Sequence, residues 1–545
     1  MLRSSPLWRH FRAQAATVSL DQLQIAGPAG RTMSVLIAEG EQSPAAHTRL
    51  ILVTGASGYV GGRLVPRLLE AGYRVRAAAR AAERLRLRPW GTHPAVEIVA
   101  ADVSDCGSIR RAADGAWAAY YLVHSMSART RDFAAADRLG ARNMAAAAEA
   151  AGLQRIVYLG GLGEDRPDLS PHLRSRAEVD GILRAGSVPV TSLRAAMIIG
   201  SGSASFEILR YLVDRLPIMV TPRWMGTPVQ PIAIRNVLVY LVGVLARPET
   251  SGQRYDIGGP EVLTYRRLMD IYAEEAGLAR PRIIPVPVLT PRLSSYWIHL
   301  VTPVPGALAK PLAEGLRNPV VCRDDRLGEL IPQDLLDARG AIRAALRKMA
   351  DAAVESHWSD SAGVAPAEWT APGDPRWAGG TAYTDRRRVI VSASPEVVWQ
   401  RLARIGGPTG WYYADWLWHL RGFLDRMLGG AGRRARASSL RSDRDAAPLL
   451  RGEVLDFWRV AAVHPPDRLV LVAEMRLPGR AWLEFQVRPL GKERSELLQT
   501  ATYRPRGLLG ILYWYAVYPL HQLVFRGMLA GIARTAERTV ERTGT

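Results

Sequence analysis

Glycines fall at positions 55, 58, 61 and 62 in the run Gly55-Ala56-Ser57-Gly58-Tyr59-Val60-Gly61-Gly62. The run follows directly on an apolar stretch, Leu50-Ile51-Leu52-Val53-Thr54, which reads as a buried parallel strand. Glycines at that spacing let a backbone turn tightly and approach a phosphate closely. Arg63 to Ala71 continues with apolar residues at helical spacing, and Gly72 closes the stretch. Strand, glycine turn and helix therefore arrive in the order a pyrophosphate site requires. The helix N-terminus offers free N–H groups and a partial positive charge to the phosphates. Gly55, Ser57, Gly58, Tyr59, Val60 and Gly61 are the candidate cofactor-binding residues. The competing reading is a glycine-rich turn in an α/β domain that holds no ligand.

A dinucleotide site also contacts the adenosine ribose. NAD-specific sites usually place an acidic residue about 20 positions past the glycines. Here the second strand, Tyr73 to Ala79, ends at Arg80, with Arg84 one helical turn on. A guanidinium there suits a 2′-phosphate, so NADP(H) is expected over NAD(H). The competing reading is Arg80 as one more surface arginine in an arginine-rich chain. Asp102-Val103 follows a third strand, Val96 to Val99, and is expected to touch the adenine. Val123 and His124 lie at the end of a fourth strand, Ala118 to Val123, and ligands of doubly wound sheets sit just outside such ends.

These residues need a frame. Further strands are read at Arg155 to Leu159 and Val188 to Arg194, with helical stretches between them, including Asp132 to Ala151. The expected fold is α/β, a Rossmann-type doubly wound parallel sheet. The segments Thr54 to Gly61, Ala101-Asp102-Val103, Tyr121 to Ser125 and Arg155 to Leu159 resemble the short-chain dehydrogenase/reductase superfamily in its atypical, NmrA-like branch. Gln230 to Val237 and Tyr255 to Gly259 resemble its later segments, so the likeness covers roughly residues 49–330.

The resemblance implies a Tyr-x-x-x-Lys pair, which this chain lacks. Its only lysines are Lys310, Lys348 and Lys492, all beyond the strands read above. The family's usual Ser or Thr after the fifth strand is replaced by Gly160-Gly161. In the expected place of the pair stands Ser170-Pro171-His172-Leu173-Arg174-Ser175-Arg176. His172 and Arg176 share its i, i+4 spacing and hence one helix face. One reading makes His172 a substitute acid, with Arg176 on the ribose or phosphates. Another leaves His172 an ordinary exposed residue, in a protein that binds cofactor without reducing anything.

Pro-rich residues 281–350 read as a continuation of the substrate-side cap, and 351–380 as a linker. A second domain is expected at 381–545, with a strand from Arg387, a helix begun by Ser394-Pro395, an aromatic stretch Trp411 to His419, four strand-like runs and a long last helix. This order resembles the helix-grip fold of START and polyketide-cyclase-like proteins, an α+β fold with an antiparallel sheet. Its C-terminal strings Trp411 to Asp415 and Leu477 to Glu484 resemble a domain of unknown activity found behind atypical short-chain dehydrogenase modules. The fold implies an apolar cavity, in which Asp415, Arg480 and Glu484 would be the polar groups; the alternative is that Trp416, Trp458, Trp482 and Trp514 fill a core. Gly507 to Phe525 carries no formal charge and is long enough to span a bilayer, but Pro519 and His521 interrupt it. The grip helix is the preferred reading, with peripheral membrane contact through 507–525 beside it.

Composition narrows the function classes. The chain has 545 residues, 48% hydrophobic and 22% charged, which fits a globular protein of more than one domain. Its net charge of +20 is almost all arginine, spread rather than striped, and no zinc-finger or RNP signature accompanies it, so no specific nucleic-acid function is expected. Cys106 and Cys322 form no disulfide framework, consistent with the cytoplasm, and no metal-ligand spacing occurs. Residues 1–48 read as a disordered leader. The leading expectation is an NADP(H)-dependent oxidoreductase acting on a small lipophilic carbonyl or enone. A non-enzymatic NADP(H) sensor or ligand carrier is the alternative, and a membrane-associated structural subunit the third.

Overall fold

Seven short strands make one parallel sheet: β1 Leu50–Thr54, β2 Arg74–Ala79, β3 Val96–Ala100, β4 Ala118–Tyr121, β5 Arg155–Gly161, β6 Val190–Ala195 and β7 Arg254–Ile257. This computed structural model describes residues 48–125, 132–163, 169–286, 301–350, 366–406, 409–430 and 449–543. The expected leader at 1–48 lies outside them but for its last residue, and so do Met126 and the first part of the expected linker, 351–365. The strand order is β3-β2-β1-β4-β5-β6-β7. It reverses direction between β1 and β4, the switch point where such sheets leave a crevice for ligands.

Helices cover both faces, which is why the strands read as continuous apolar runs rather than alternating ones. All five residues of β1 are buried. On one face α1, Tyr59–Glu70, packs on Ile234–Ala246. On the other, α2 Cys106–Ala113, α3 Phe133–Ala150 and α4 Pro171–Arg184 lie side by side. Three side chains set their starts. Asp105 accepts from Gly107 N, Asp132 from Ala135 N, and Ser170 from Leu173 N, with Pro171 in the first turn. Beyond the sheet, Phe206, Leu268, Tyr272, Ala341 and Ile342 form a separate core for the cap.

The segment 366–380, read from its composition as linker, is a strap packed on the Rossmann-type part. Arg63 of α1 donates to the carbonyls of Ala367, Trp369 and Ser201 and pairs with Asp374 at 2.7 Å. Arg88 pairs with the same carboxylate at 3.1 Å. Arg235 pairs with Glu368, and Glu207 accepts from the N–H groups of Gly379 and Gly380. Buried charge holds the strap, and that does not show in a scan for apolar periodicity.

The C-terminal part has a six-stranded antiparallel sheet. Its strands are β8 Tyr383–Val391, β9 Val454–Leu455, β10 Trp458–His464, β11 Arg468–Ala473, β12 Gly479–Pro489 and β13 Ser495–Pro505, in the order β8-β13-β12-β11-β10-β9. The run 452–463 splits in two because Asp456, at φ 56°, turns the chain and accepts from the Trp411 indole N–H at 2.7 Å. Helices α5 Pro395–Leu402 and α6 Asp415–Met427 precede the sheet's centre, and α7 Gly507–Thr543 closes it. In its core Trp411 stacks on Trp418 and Phe457, with Trp458 beside them. Trp416, expected in the core, is exposed instead. Asp415 locks the turn before α6 by accepting from Trp411 N, and Glu484 pairs with Arg468 across two strands.

Candidate active site

The glycine turn is built for close approach. Gly55 has φ +75°, and a Cβ there would lie 2.8 Å from the Leu122 carbonyl oxygen and 3.4 Å from Val123 N. Gly61 sits so near the turn that a Cβ would stand 2.4 Å from the Gly55 oxygen. Any side chain at either place would push α1 off the turn or the turn off β4. Gly58 caps α1 without a side-chain bond, and Ser57 and Gly58 are exposed. The helix N-terminus is thus open to an anion. Val60 is half-buried in the first turn. The Tyr59 side chain turns inward: a Cβ built on Gly200 would meet its hydroxyl, and burial pushes that hydroxyl's pKa up. Tyr59 therefore offers the phosphates only its backbone. Arg88 braces the turn from behind, donating to the Ser57 carbonyl at 3.1 Å while paired to Asp374.

Arg80 stands at the end of β2 and Arg84 in the short helical turn Glu83–Arg86; both are exposed. Arg63, Arg67, Arg76 and Arg88 pair with carboxylates, whereas Arg74 and Arg86 make no ion pair among the described residues. Arg80 and Arg84 make no ion pair among the described residues. Asp102 folds over its own turn, accepting from Ser104 N and Oγ, and Val103 packs on Gly140 of α3. Val123 is half-buried beside the glycine turn.

The decisive geometry lies past β4. His124 Nδ1 is 2.8 Å from Asp137 Oδ2. Its Nε2 is 3.1 Å from His172 Nδ1. Asp137, on α3, is buried and also accepts from Ser125 N at 2.8 Å and Ser175 Oγ at 3.0 Å. A carboxylate and two imidazoles thus form one chain, with His172 at the end opposite Asp137. His172 is 8% exposed, buried rather than the surface residue of the competing sequence reading. The sequence grouped His124 with the cofactor; the fold joins it to His172. Asp137 and Ser175 carry no motif that would single them out.

Electrostatics follow from burial and from Arg176. Desolvation would raise the Asp137 carboxyl, but the His124 bond and charge and the Ser125 N–H outweigh it and hold it at about 2. Burial lowers His124, and Arg176 adds to this against the pull of Asp137. His172 is lowered further, by burial, then Arg176, then His124. Arg176 itself donates to the Leu159 carbonyl at 3.2 Å, and its buried Nε has no protein partner. A pocket opens on this side, lined by Gly160, Gly161, Leu173, Arg176 and Arg194. It lies at the C-terminal ends of β5 and β6.

Residues 55–209 match a family model described as NAD(P)H-binding, and 377–528 match one described as a protein of unknown function, DUF2867. The (4-alkanoyl-5-oxo-2,5-dihydrofuran-3-yl)methyl phosphate reductase of Streptomyces griseus is 31% identical over 224 residues, which is 40% of this chain and 70% of that one. The ceramide reductase of Caulobacter vibrioides is 29% identical over 243 residues, 44% of this chain and 74% of its own. Among solved structures, the triphenylmethane reductase of Citrobacter sp. complexed with NADP(H) aligns with 55% of this chain and 100% of its own, at 19% identity and a TM-score of 0.45. The chain belongs to the NAD(P)H-binding, NmrA-like, reductase-like family of short-chain dehydrogenase relatives, with a DUF2867 domain behind its Rossmann-type part.

Proposed function

We propose that the protein is an NADP(H)-dependent oxidoreductase of a lipophilic carbonyl or enone, with His172 as the group that exchanges the proton. The observation that carries this reading is the Asp137–His124–His172 chain. Gly55, Ser57, Gly58, Val60 and Gly61 would hold the pyrophosphate, Arg80 the 2′-phosphate, and Asp102 and Val103 the adenine side. Bound NADP(H) supplies the hydride. The chain's own residues manage the proton. Asp137, ionised, fixes the Nδ1–H tautomer of His124 and stabilises a positive charge on it. With one extra proton on the pair, His124 Nε2–H donates to His172 Nδ1, which leaves the His172 Nε2–H to be given to the substrate. Giving that proton to a carbonyl oxygen draws the next from His124 to His172, and both rings end neutral. In the reverse direction His172 Nε2 accepts the alcohol proton. Arg176, with its unpartnered Nε, is the donor available to the ribose or phosphates.

A cofactor sensor would need the glycine turn but not a buried carboxylate–imidazole chain, so this chain favours the enzyme. The test is a panel of lipophilic ketones, aldehydes and enones, followed by nucleotide absorbance. The protein should turn over at least one class, and His172→Ala should lower kcat by roughly 10²–10⁴ with cofactor affinity little changed. No nucleotide consumption across the panel would favour the sensor. Full turnover by His172→Ala would remove His172 from the mechanism.

A further inference from the structure

Helix α7 is used differently along its length. From Val524 onward it turns Val524, Phe525, Met528, Leu529 and Ile532 into the core of the C-terminal sheet. Its first half does not. Leu509, Leu512, Tyr515, Leu520 and Leu523 stay exposed, Leu509 at 74% and Tyr515 at 63%. Helix α6 shows a second apolar face, where Trp416, Leu420, Phe423, Leu424 and Met427 recur at spacings of three and four and so share one side. Trp416 is 66% exposed and Met427 71%. The helices approach each other where Arg421 of α6 lies beside the Tyr513 hydroxyl of α7 and holds its pKa down against burial. Globular proteins rarely leave so many large apolar side chains of neighbouring helices in water without a use for them.

The surroundings indicate what covers it. Gly507 to Phe525 holds no charged residue. Arg426 on α6, Arg526 on α7, Arg506 just before α7 and Arg476, on the loop between β11 and β12 that bonds to Leu428 after α6, are exposed. Of the two acids of α6, Asp425 is buried and accepts from Arg476 N, and Asp415, exposed at the helix start, accepts from Trp411 N. An apolar centre with a cationic border matches hydrocarbon beneath anionic headgroups. Two copies of the same face would bring cationic borders together, which opposes self-pairing. We propose that α6 and the first half of α7 form a docking surface for an anionic lipid bilayer, on which the protein lies without spanning it. Spanning by Gly507 to Phe525 would draw Val524 and Phe525 out of the core they help complete.

Flotation with vesicles tests this. The full-length protein should float with vesicles of phosphatidylcholine and phosphatidylglycerol, far less with phosphatidylcholine alone, and less at high salt. The double variant Phe423→Asp with Leu512→Asp should partition at least about tenfold less, because two inserted apolar groups become charged. Its circular dichroism and melting should match the wild type. Should that variant fold poorly, Arg426→Glu with Arg526→Glu should remove the dependence on anionic lipid and salt. Three results would overturn the proposal: no flotation with anionic vesicles, equal flotation with neutral ones, or a double variant that floats like the wild type. A dimer in sedimentation velocity that the double variant dissolves would overturn it too, by giving the face to a second copy.

Discussion

Asp137 and Arg176 pull the two histidines in opposite directions, and Arg176 with burial wins. The sign has a consequence for activity. A depressed imidazole pKa means the transferable proton is present only below the ordinary histidine value of about 6.5. Carbonyl reduction should therefore accelerate as pH falls through that range, and alcohol oxidation should hold its rate above it. Arg176→Gln removes one positive neighbour, so the break in a pH–rate profile should move upward while NADP(H) binding weakens. A break left in place would mean that Arg176 does not act on the pair. Arg80 gives a second test on the cofactor side. A charge-assisted contact is worth about 1.5–3 kcal/mol, so Arg80→Asp should shift the NADP-over-NAD preference by roughly tenfold or more in calorimetry. Equal loss for both nucleotides would remove it from the 2′-phosphate.

Among elements, the strap at 366–380 does the most for the site relative to its length. Asp374 is the shared partner of Arg63 and Arg88, all three buried, and Arg88 reaches from it to the Ser57 carbonyl in the phosphate turn. Removing one partner of a buried ion pair typically costs about 3–5 kcal/mol, because the remaining charge stays in the interior. Asp374→Ala should lose stability of that order in denaturant titration. It should also weaken NADP(H) binding although it touches no cofactor atom, because the turn loses its brace. Unchanged binding in a folded variant would show that the turn holds itself. On the other side of the turn, Gly58→Val should abolish cofactor binding by calorimetry while the far-UV spectrum stays folded.

For the whole molecule, the contacts set a boundary that composition does not. The strap belongs energetically to the Rossmann-type part, through Arg63, Arg88, Arg235 and Glu207. A chain ending at residue 380 should therefore stay folded and bind NADP(H). A chain ending at residue 350 should lose both, since buried arginines would be left without a counter-charge. Binding by the shorter chain would place the strap outside the site. The C-terminal part rests on its own core, in which Trp411 is fully buried and stacked. Trp411→Ala should cost about 3–5 kcal/mol there, as large core truncations do, and leave NADP(H) affinity in place.

The glycine turn, the sheet that carries it and the exposed Arg80 were legible in the sequence because each depends on local pattern. A buried strand must be apolar, a tight turn must be glycine, and the strand that follows comes back beside the first. The missing Tyr-x-x-x-Lys pair was legible for the same reason, as an absence of lysine. Three things depended on the tertiary structure. Asp137 reaches His124 and Ser175 only because α3 packs beside β4 and α4, which brings together residues thirteen and thirty-eight positions apart in roles no spacing encodes. Asp374 is a lone acid in a proline- and glycine-rich stretch until Arg63 and Arg88 close on it. Trp416 and Trp411 are alike in sequence and opposite in the fold, one exposed and one fully buried. Local sequence sets which backbone a segment can adopt; which charges meet and which aromatic faces water is set by the segments that pack against it.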